Sequence, residues 1–447
     1  MGLSAIFFFF YVFVVGCIGY LSSRKATEED FMIAGRRVAG SQLAATMSAG
    51  FFDGATLGVY LAYIYQFGLS AIWLFIGFGF GFLMLQHFSG VIKAKADAMR
   101  VYSMPEYFYR LIGKRSGQMF SVVLVTAFFL FLVVNLIVSG KVLSSIFPIS
   151  YAFSVAIGGV IILLYLFLAG FKAVVRTDVF QFLIMILMSV SVGLYLLRIS
   201  PIPATDLNLT ALGAGNFVAF FAIGILTAVV SPDLWQRIFA SRDQKTLRRG
   251  LTYAALLIPL VALIISVMGL ATKQFIPDIA PEDALVTGFS TLLPFGFKQL
   301  GMVLLYAVSL SSSDTIAFVI SSIFTRDLQN YVPRFGEKSM RMLTRIFMVV
   351  FIGLAILVSL ISQDILTLGF ALAGIAIALS PAIIGSFFFR LNDRAVAISL
   401  ALSMLSIVVL FLFDLLSPET ALISLPVALV SLVGLQVFFA RKLPLRA

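Results

Sequence analysis

Thirteen runs of mostly apolar residues dominate this chain and leave it one broad structural solution. Each is close to the roughly 20 residues a helix needs to cross the ~30 Å hydrocarbon layer of a bilayer. They fall near 3–22, 42–65, 70–90, 117–139, 150–170, 178–197, 214–236, 251–271, 300–325, 343–361, 365–389, 396–415 and 419–440. An all-α membrane protein is expected, with residues 1–447 forming a single integral membrane domain. The composition, 61% hydrophobic and 11% charged over 447 residues, is outside the range of soluble domains.

The basic residues fix a topology for these spans. With the N-terminus outside, all but four of the 31 lysines and arginines fall in loops on one side. The inner set includes Arg24, Lys25, Arg36, Arg37, Arg237, Arg334, Arg441, Lys442 and Arg446. The exceptions are Lys141, Arg198, Lys273 and Lys298. That bias predicts a multi-pass protein of the cell (inner) membrane, N-terminus outside and C-terminus cytoplasmic. It also accounts for the net charge of +11 without invoking nucleic acid. Val14-Val15-Gly16-Cys17 resembles a lipoprotein cleavage box, but no basic residue precedes it, so 3–22 is read as a helix. One cysteine, Cys17, and one histidine, His87, exclude a disulfide framework and a His/Cys metal centre. The longest outer loop, 272–299, is expected to hold a short lid helix. No appended soluble domain, phosphate-binding loop or nucleophile–base pair is visible, and no obligate protein partner is expected.

Polar residues inside the spans mark the function. Such groups are expensive in hydrocarbon and tend to line ion or substrate paths. The ninth span carries Val308-Ser309-Leu310-Ser311-Ser312-Ser313-Asp314-Thr315, an oxygen-rich set suited to a hard cation such as sodium. The second span holds Ser48-Ala49-Gly50-Phe51-Phe52-Asp53-Gly54. Two glycines and a carboxylate there predict an unwound segment, although Gly50 and Gly54 also suit close helix packing. Asp53 needs a partner. In the seventh span Pro232, within Val230-Ser231-Pro232-Asp233, should break the helix. Asp178 opens the sixth span beside Arg176, its nearest cation in sequence. Asn135 and Lys141 mark the fourth span, and snorkelling to the outer interface is the favoured role of Lys141.

Several stretches resemble the sodium/solute symporter family. Phe31-Met32-Ile33-Ala34-Gly35-Arg36-Arg37 resembles that family's entry to its second helix, and Tyr65-Gln66-Phe67-Gly68-Leu69 its exit. Tyr102 through Tyr107 is similar to an inner T-x-P-E/D loop. Gly170 through Gln181 resembles a glycine-rich T-D-x-x-Q signature, and Trp235-Gln236-Arg237 with Asp243 a Q-R…D stretch. Ser311-Ser312 through Asp327 resembles the S-S…I-x-T-x-D helix. Ser380-Pro381 through Asn392 resembles the P-x-x-x-G…R-x-N ending.

The resemblance implies a leucine-transporter-like fold. One extra helix (3–22) would precede two inverted five-helix repeats, 42–197 and 214–389, with two trailing helices in 396–440. The broken spans, 2 and 7, would then open the two repeats. It further implies sodium-coupled import of a small organic solute by alternating access. Carried over residue by residue, the shared sodium site falls on Ala49, Phe52, Val308, Ser311 and Ser312. A rival alignment places its first two carbonyls at Ala44 and Met47. Asp178, Asp314 and Thr315 become a second cation site or exit path. Phe51, Asp53, Thr56, Gln66, Asn135 and Ser231 are candidates for the substrate cavity, where an amino acid or organic acid is favoured over a sugar. Asp53 and Asp314 stand where common members carry neutral residues. They leave a proton-coupled relative as the alternative, and a solute sensor without net transport as a third reading.

Overall fold

The computed structural model describes residues 2–23, 28–199, 201–331 and 337–440. Arg24, Lys25, Arg334, Arg441, Lys442 and Arg446, which entered the charge count, lie outside the described residues.

Among the described residues no strand occurs and helices make nearly the whole fold. Apart from three short helices, Glu28–Ile33, Met104–Leu111 and Pro418–Ala421, these are in order α1 (Gly2–Ser23), α2 (Gly40–Ala49), α3 (Gly54–Phe67), α4 (Trp73–Met99), α5 (Lys114–Ile146), α6 (Tyr151–Ala169), α7 (Phe171–Ile199), α8 (Ala214–Val230), α9 (Pro232–Ala240) and α10 (Gln244–Phe275). They continue with α11 (Ala284–Thr291), α12 (Phe297–Tyr331), α13 (Glu337–Ile361), α14 (Ile365–Ile377), α15 (Ser380–Phe388), α16 (Asp393–Leu412) and α17 (Ser424–Ala440). In hydrocarbon a backbone must satisfy its own hydrogen bonds, and helices achieve this within one segment. Ten stretches of the described chain are long and apolar enough to cross a bilayer, or up to eleven with the bent pair α8–α9. The expected thirteen are not reached on that measure. α3 and α4 run together through the 3-10 turn Gly68–Ile72, and α6 is among the shorter apolar helices.

Both predicted breaks are present. The second span is α2 and α3 separated by residues 50–53, with Asp53 extended (φ −109°, ψ 170°) as the N-cap of α3. Glycine serves close approach as well: a Cβ on Gly54 would come within 2.3 Å of Ser309 Oγ on α12. The seventh span bends by 44° between α8 and α9. Ser231 leaves the helical region there, and Pro232 restarts the helix at a position where its missing N–H costs nothing.

The core is built around α12, which is buried almost throughout its apolar part and packs on α5, α7 and the α2–α3 break. α4 meets α8 backbone to backbone: a Cβ on Gly77 would lie 2.5 Å from the Phe221 carbonyl, and one on Gly224 2.2 Å from that of Leu74. α1, α7, α16 and α17 form a rim whose exposed Phe and Leu face outward, as lipid-facing helices do. The predicted lid loop does carry a short helix, α11, entered through the turn Pro281–Asp283. Lys141 is held by Asp283 at 2.9 Å, an ion pair rather than a snorkelling side chain, and Lys273 is held by Asp206 at 2.7 Å.

Candidate cation and solute site

The polar run of α12 sorts itself by where each hydroxyl turns. Ser309 donates to the Leu305 carbonyl (3.0 Å), Ser313 to that of Ser309 (2.7 Å) and Thr315 to that of Ser311 (3.2 Å). Such bonds one turn back satisfy a hydroxyl within its own helix. Ser311 differs: it donates across to Asp178 Oδ1 at 3.1 Å. Ser312, the next residue, is also buried. A small cavity lies against this part of α12, lined by Val308 and Ser311, by Ala49 and Phe52 of the break, and by Gln181, Phe182 and Met185 of α7. No backbone N–H among the described residues bonds the Phe52 carbonyl. The donors at hand are therefore carbonyl and hydroxyl oxygens, the ligands a hard monovalent cation takes. Four of the five residues read as the shared sodium site line this one cavity, and Ser312 adjoins Ser311. Ala44 and Met47, the rival positions, lie buried within the intact helix α2.

Sequence reading missed the partner of Asp178. Arg176 bonds Ser22 instead (3.1 Å), and Asp178 is neither solvated nor paired with it. Arg237, counted from sequence as an inner-loop charge, is buried to 1% exposure because the restarted helix α9 carries it into the core. Its guanidinium meets Asp178 Oδ2 at 2.8 Å and Asp233 Oδ2 at 2.7 Å, and its Nε donates to Thr46 Oγ1 at 3.0 Å. Thr46 in turn donates to Asp178 Oδ2 at 2.5 Å. Ser231 does not reach the solute cavity; its hydroxyl bonds Asp233. One buried chain of contacts thus joins α2, α7, α9 and α12 beside the small cavity. Asp178 is committed to Arg237, Thr46 and Ser311. Asp314 is buried, and Thr315 donates to its Oδ1 at 3.2 Å.

On the α3 side of the break lies a larger, mainly apolar cavity. Thr56, Phe78, Phe131, Phe220, Thr227 and Phe370 are among its walls. Of the predicted cavity residues only Thr56 lines it directly. Asp53 sits behind it, accepting from Thr56 N (2.9 Å), Thr56 Oγ1 (2.6 Å) and Asn135 Nδ2 (3.2 Å), while Asn135 Oδ1 accepts from Ala55 N (3.3 Å). Phe51 supports the wall from behind, with ring centroids 4.9 Å from Phe78 and 5.0 Å from Phe82. Gln66 is exposed near the far end of α3 and is not brought to the cavity. Phe220, Thr227 and Phe370 escaped sequence reading, since phenylalanine is abundant (46 residues) and carries no signal singly.

Comparison with known proteins places these observations among transporters. The model of the sodium:solute symporter family matches residues 31–199. Sodium/proline symporter 2 of Staphylococcus saprophyticus is 26% identical over 421 residues, covering 86% of this chain and 80% of that protein. The sodium/pantothenate symporter of Haemophilus influenzae is 24% identical over 356 residues, covering 73% and 71%. A substrate-bound, outward-open Na⁺-coupled sialic acid symporter superposes with a TM-score of 0.82 at 18% identity, over 99% of this chain and 98% of that one. A transporter of the nucleobase-cation-symport-1 family, in a closed conformation, gives 0.62 at 14% identity over 93% and 96%. At these identities the structural likeness establishes the shared fold and nothing finer.

Proposed function

We propose that this chain is a member of the sodium:solute symporter family and a sodium-coupled secondary transporter, not an enzyme, importing a small organic solute across the cell membrane by alternating access. An amino acid or organic acid fits, as relatives are named for proline and pantothenate. The positive-inside bias supports an outer N-terminus and a cytoplasmic C-terminus.

The observation that carries the reading is the small cavity where Ala49 and Phe52 face Val308 and Ser311. Sodium there takes the carbonyls of Ala49, Phe52 and Val308 and the hydroxyls of Ser311 and Ser312. It ties the broken α2–α3 helix to α12. A ligand that bridges two elements favours the state in which both are near, here the outward-open one. The Arg237–Asp178 pair beside it holds α9 to α7 and so keeps the inner side shut. When that pair parts, Asp178 is freed to receive the departing ion, and Asp314 and Thr315 lie further along α12 from Ser311 and Ser312.

Uptake into proteoliposomes over a sodium series tests the site. Ser312→Ala should raise the half-saturating sodium concentration about tenfold, the equivalent of ~1.4 kcal/mol for one lost ligand. Kinetics unchanged across the series would count against the site. Accumulation driven by a pH gradient in sodium-free medium would select the proton-coupled reading instead.

A further inference from the structure

The larger cavity holds an electrostatic asymmetry that the coupling ion does not use. Its walls carry the rings of Phe78, Phe131, Phe220 and Phe370, and Tyr63 packs behind two of them (4.6 Å from Phe220, 6.0 Å from Phe370). None of the lining residues is a lysine, arginine or histidine. Behind its wall stands Asp53, fully buried and bonded to neutral donors. Thr56 gives its hydroxyl proton to Asp53, so toward the cavity it offers lone pairs, not a donor. Thr227 adds a buried hydroxyl without a hydrogen-bond partner among the described residues.

An anionic solute would find no cation here. The broken helix would normally greet a carboxylate with free N–H groups, but Asp53 and Asn135 already occupy those of Thr56 and Ala55. A cationic nitrogen finds the reverse: aromatic faces, which attract cations, an acceptor hydroxyl, and a buried carboxylate whose charge lacks a counter-ion among its hydrogen-bond partners. Burying such a charge is costly unless something compensates it.

Resting on the symport reading above, we propose that the solute is recognised through a positively charged nitrogen, held between the Phe78, Phe131, Phe220 and Phe370 rings and the Thr56–Asp53 pair. Amines, quaternary ammonium compounds and amino acids seated by their ammonium end qualify. Nitrogen-free organic acids do not.

The test uses the purified full chain and two pairs of near-isosteres, each differing at the nitrogen: choline against 3,3-dimethylbutan-1-ol, and L-proline against cyclopentanecarboxylate. Thermal stabilisation reports binding of each probe in sodium, and a titration with sodium alone reports the cation site. A nitrogen-bearing member should stabilise the protein while its isostere does not. Asp53→Asn should weaken that probe tenfold or more, of the order of a hydrogen bond to a charged group, and leave the sodium-only titration in place. Phe220→Leu, a milder change, should weaken it about threefold, the cation–π share.

Equal binding of both members, binding of the acid alone, or no response to either nitrogen probe overturns the proposal. So does an Asp53→Asn protein that keeps the preference but loses sodium affinity, which would make Asp53 a sodium ligand. Sodium-driven uptake of a nitrogen-free acid would sink this inference and leave symport standing. Amine binding with no sodium-driven uptake of any probe would do the opposite.

Discussion

Two helices in this protein begin with the same local device and put it to different use. α3 opens with Asp53-Gly54-Ala55-Thr56 and α10 with Asp243-Gln244-Lys245-Thr246. In each, the aspartate accepts from the threonine N–H three residues on, at 2.9 and 2.8 Å. This is ordinary N-capping. Asp243 is on the surface, where water surrounds its charge and Arg242 lies 2.9 Å away. Asp53 is fully buried and its hydrogen-bond partners Thr56 and Asn135 are neutral. Capping alone explains the first aspartate. For the second it explains the bonds but not the charge, because an uncharged asparagine caps a helix as well. The surplus charge inside the helix bundle is what the proposed recognition of a cationic nitrogen rests on.

Asp178 offers the third condition, a buried carboxylate with a built-in cation. Removing that cation is the largest perturbation available. Arg237→Met should strand Asp178 and Asp233 in the core and cost about 3–5 kcal/mol, the usual penalty for breaking a buried pair from one side. A large fall in the thermal midpoint is expected, partly reversed by adding Asp178→Asn. If Arg237→Met were as stable as the parent, buried carboxylates in this core would not need counter-ions, and the contrast with Asp53 would lose its meaning.

Asp53 should respond in two separable ways. Asp53→Ala removes the cap and should lower stability by about 1 kcal/mol. Asp53→Asn keeps a cap acceptor and should change the thermal midpoint little, yet abolish most sodium-driven uptake. Measured on the same preparations, stability and uptake would then move apart. If Asp53→Asn were both stable and fully active, Asp53 would be no more than Asp243 is.

How far these residues were legible in sequence follows from the range of the interactions. The breaks were readable because glycine and proline act locally: Gly50, Gly54 and Pro232 disturb the helices in which they stand. Ser311 was readable by resemblance, and the structure adds the reason it differs from Ser309, Ser313 and Thr315, which bond one turn back. Arg237 was not. Its partner Asp178 lies 59 positions away, and a basic residue at the inner end of an apolar run reads as a loop charge. Gln66 was misplaced for a related reason, since it shares α3 with Thr56 but stands ten residues further along the helix. The cavity's phenylalanines come from α4, α5, α8 and α14, and only packing shows that they converge.

The smallest effect expected belongs to Asp243, and its sign is fixed by linkage. The Thr246 N–H and then the Arg242 guanidinium hold its carboxyl down at about 2, against roughly 4 for an unfolded aspartate. A depressed folded value means that the charged cap stabilises the protein above about pH 4 and that this contribution is lost as pH falls from there toward 2. Asp243→Asn caps without titrating, so its thermal midpoint should fall less steeply than the parent's across that window, with the two curves parallel above it. Because the pair lies at the surface, salt should screen the Arg242 share and narrow the difference. A slope in acid unchanged by Asp243→Asn would show that the charge of this cap is idle even where the parent carries it. Only Asp53, of the two aspartates with the same cap, would then have a charge that matters at all.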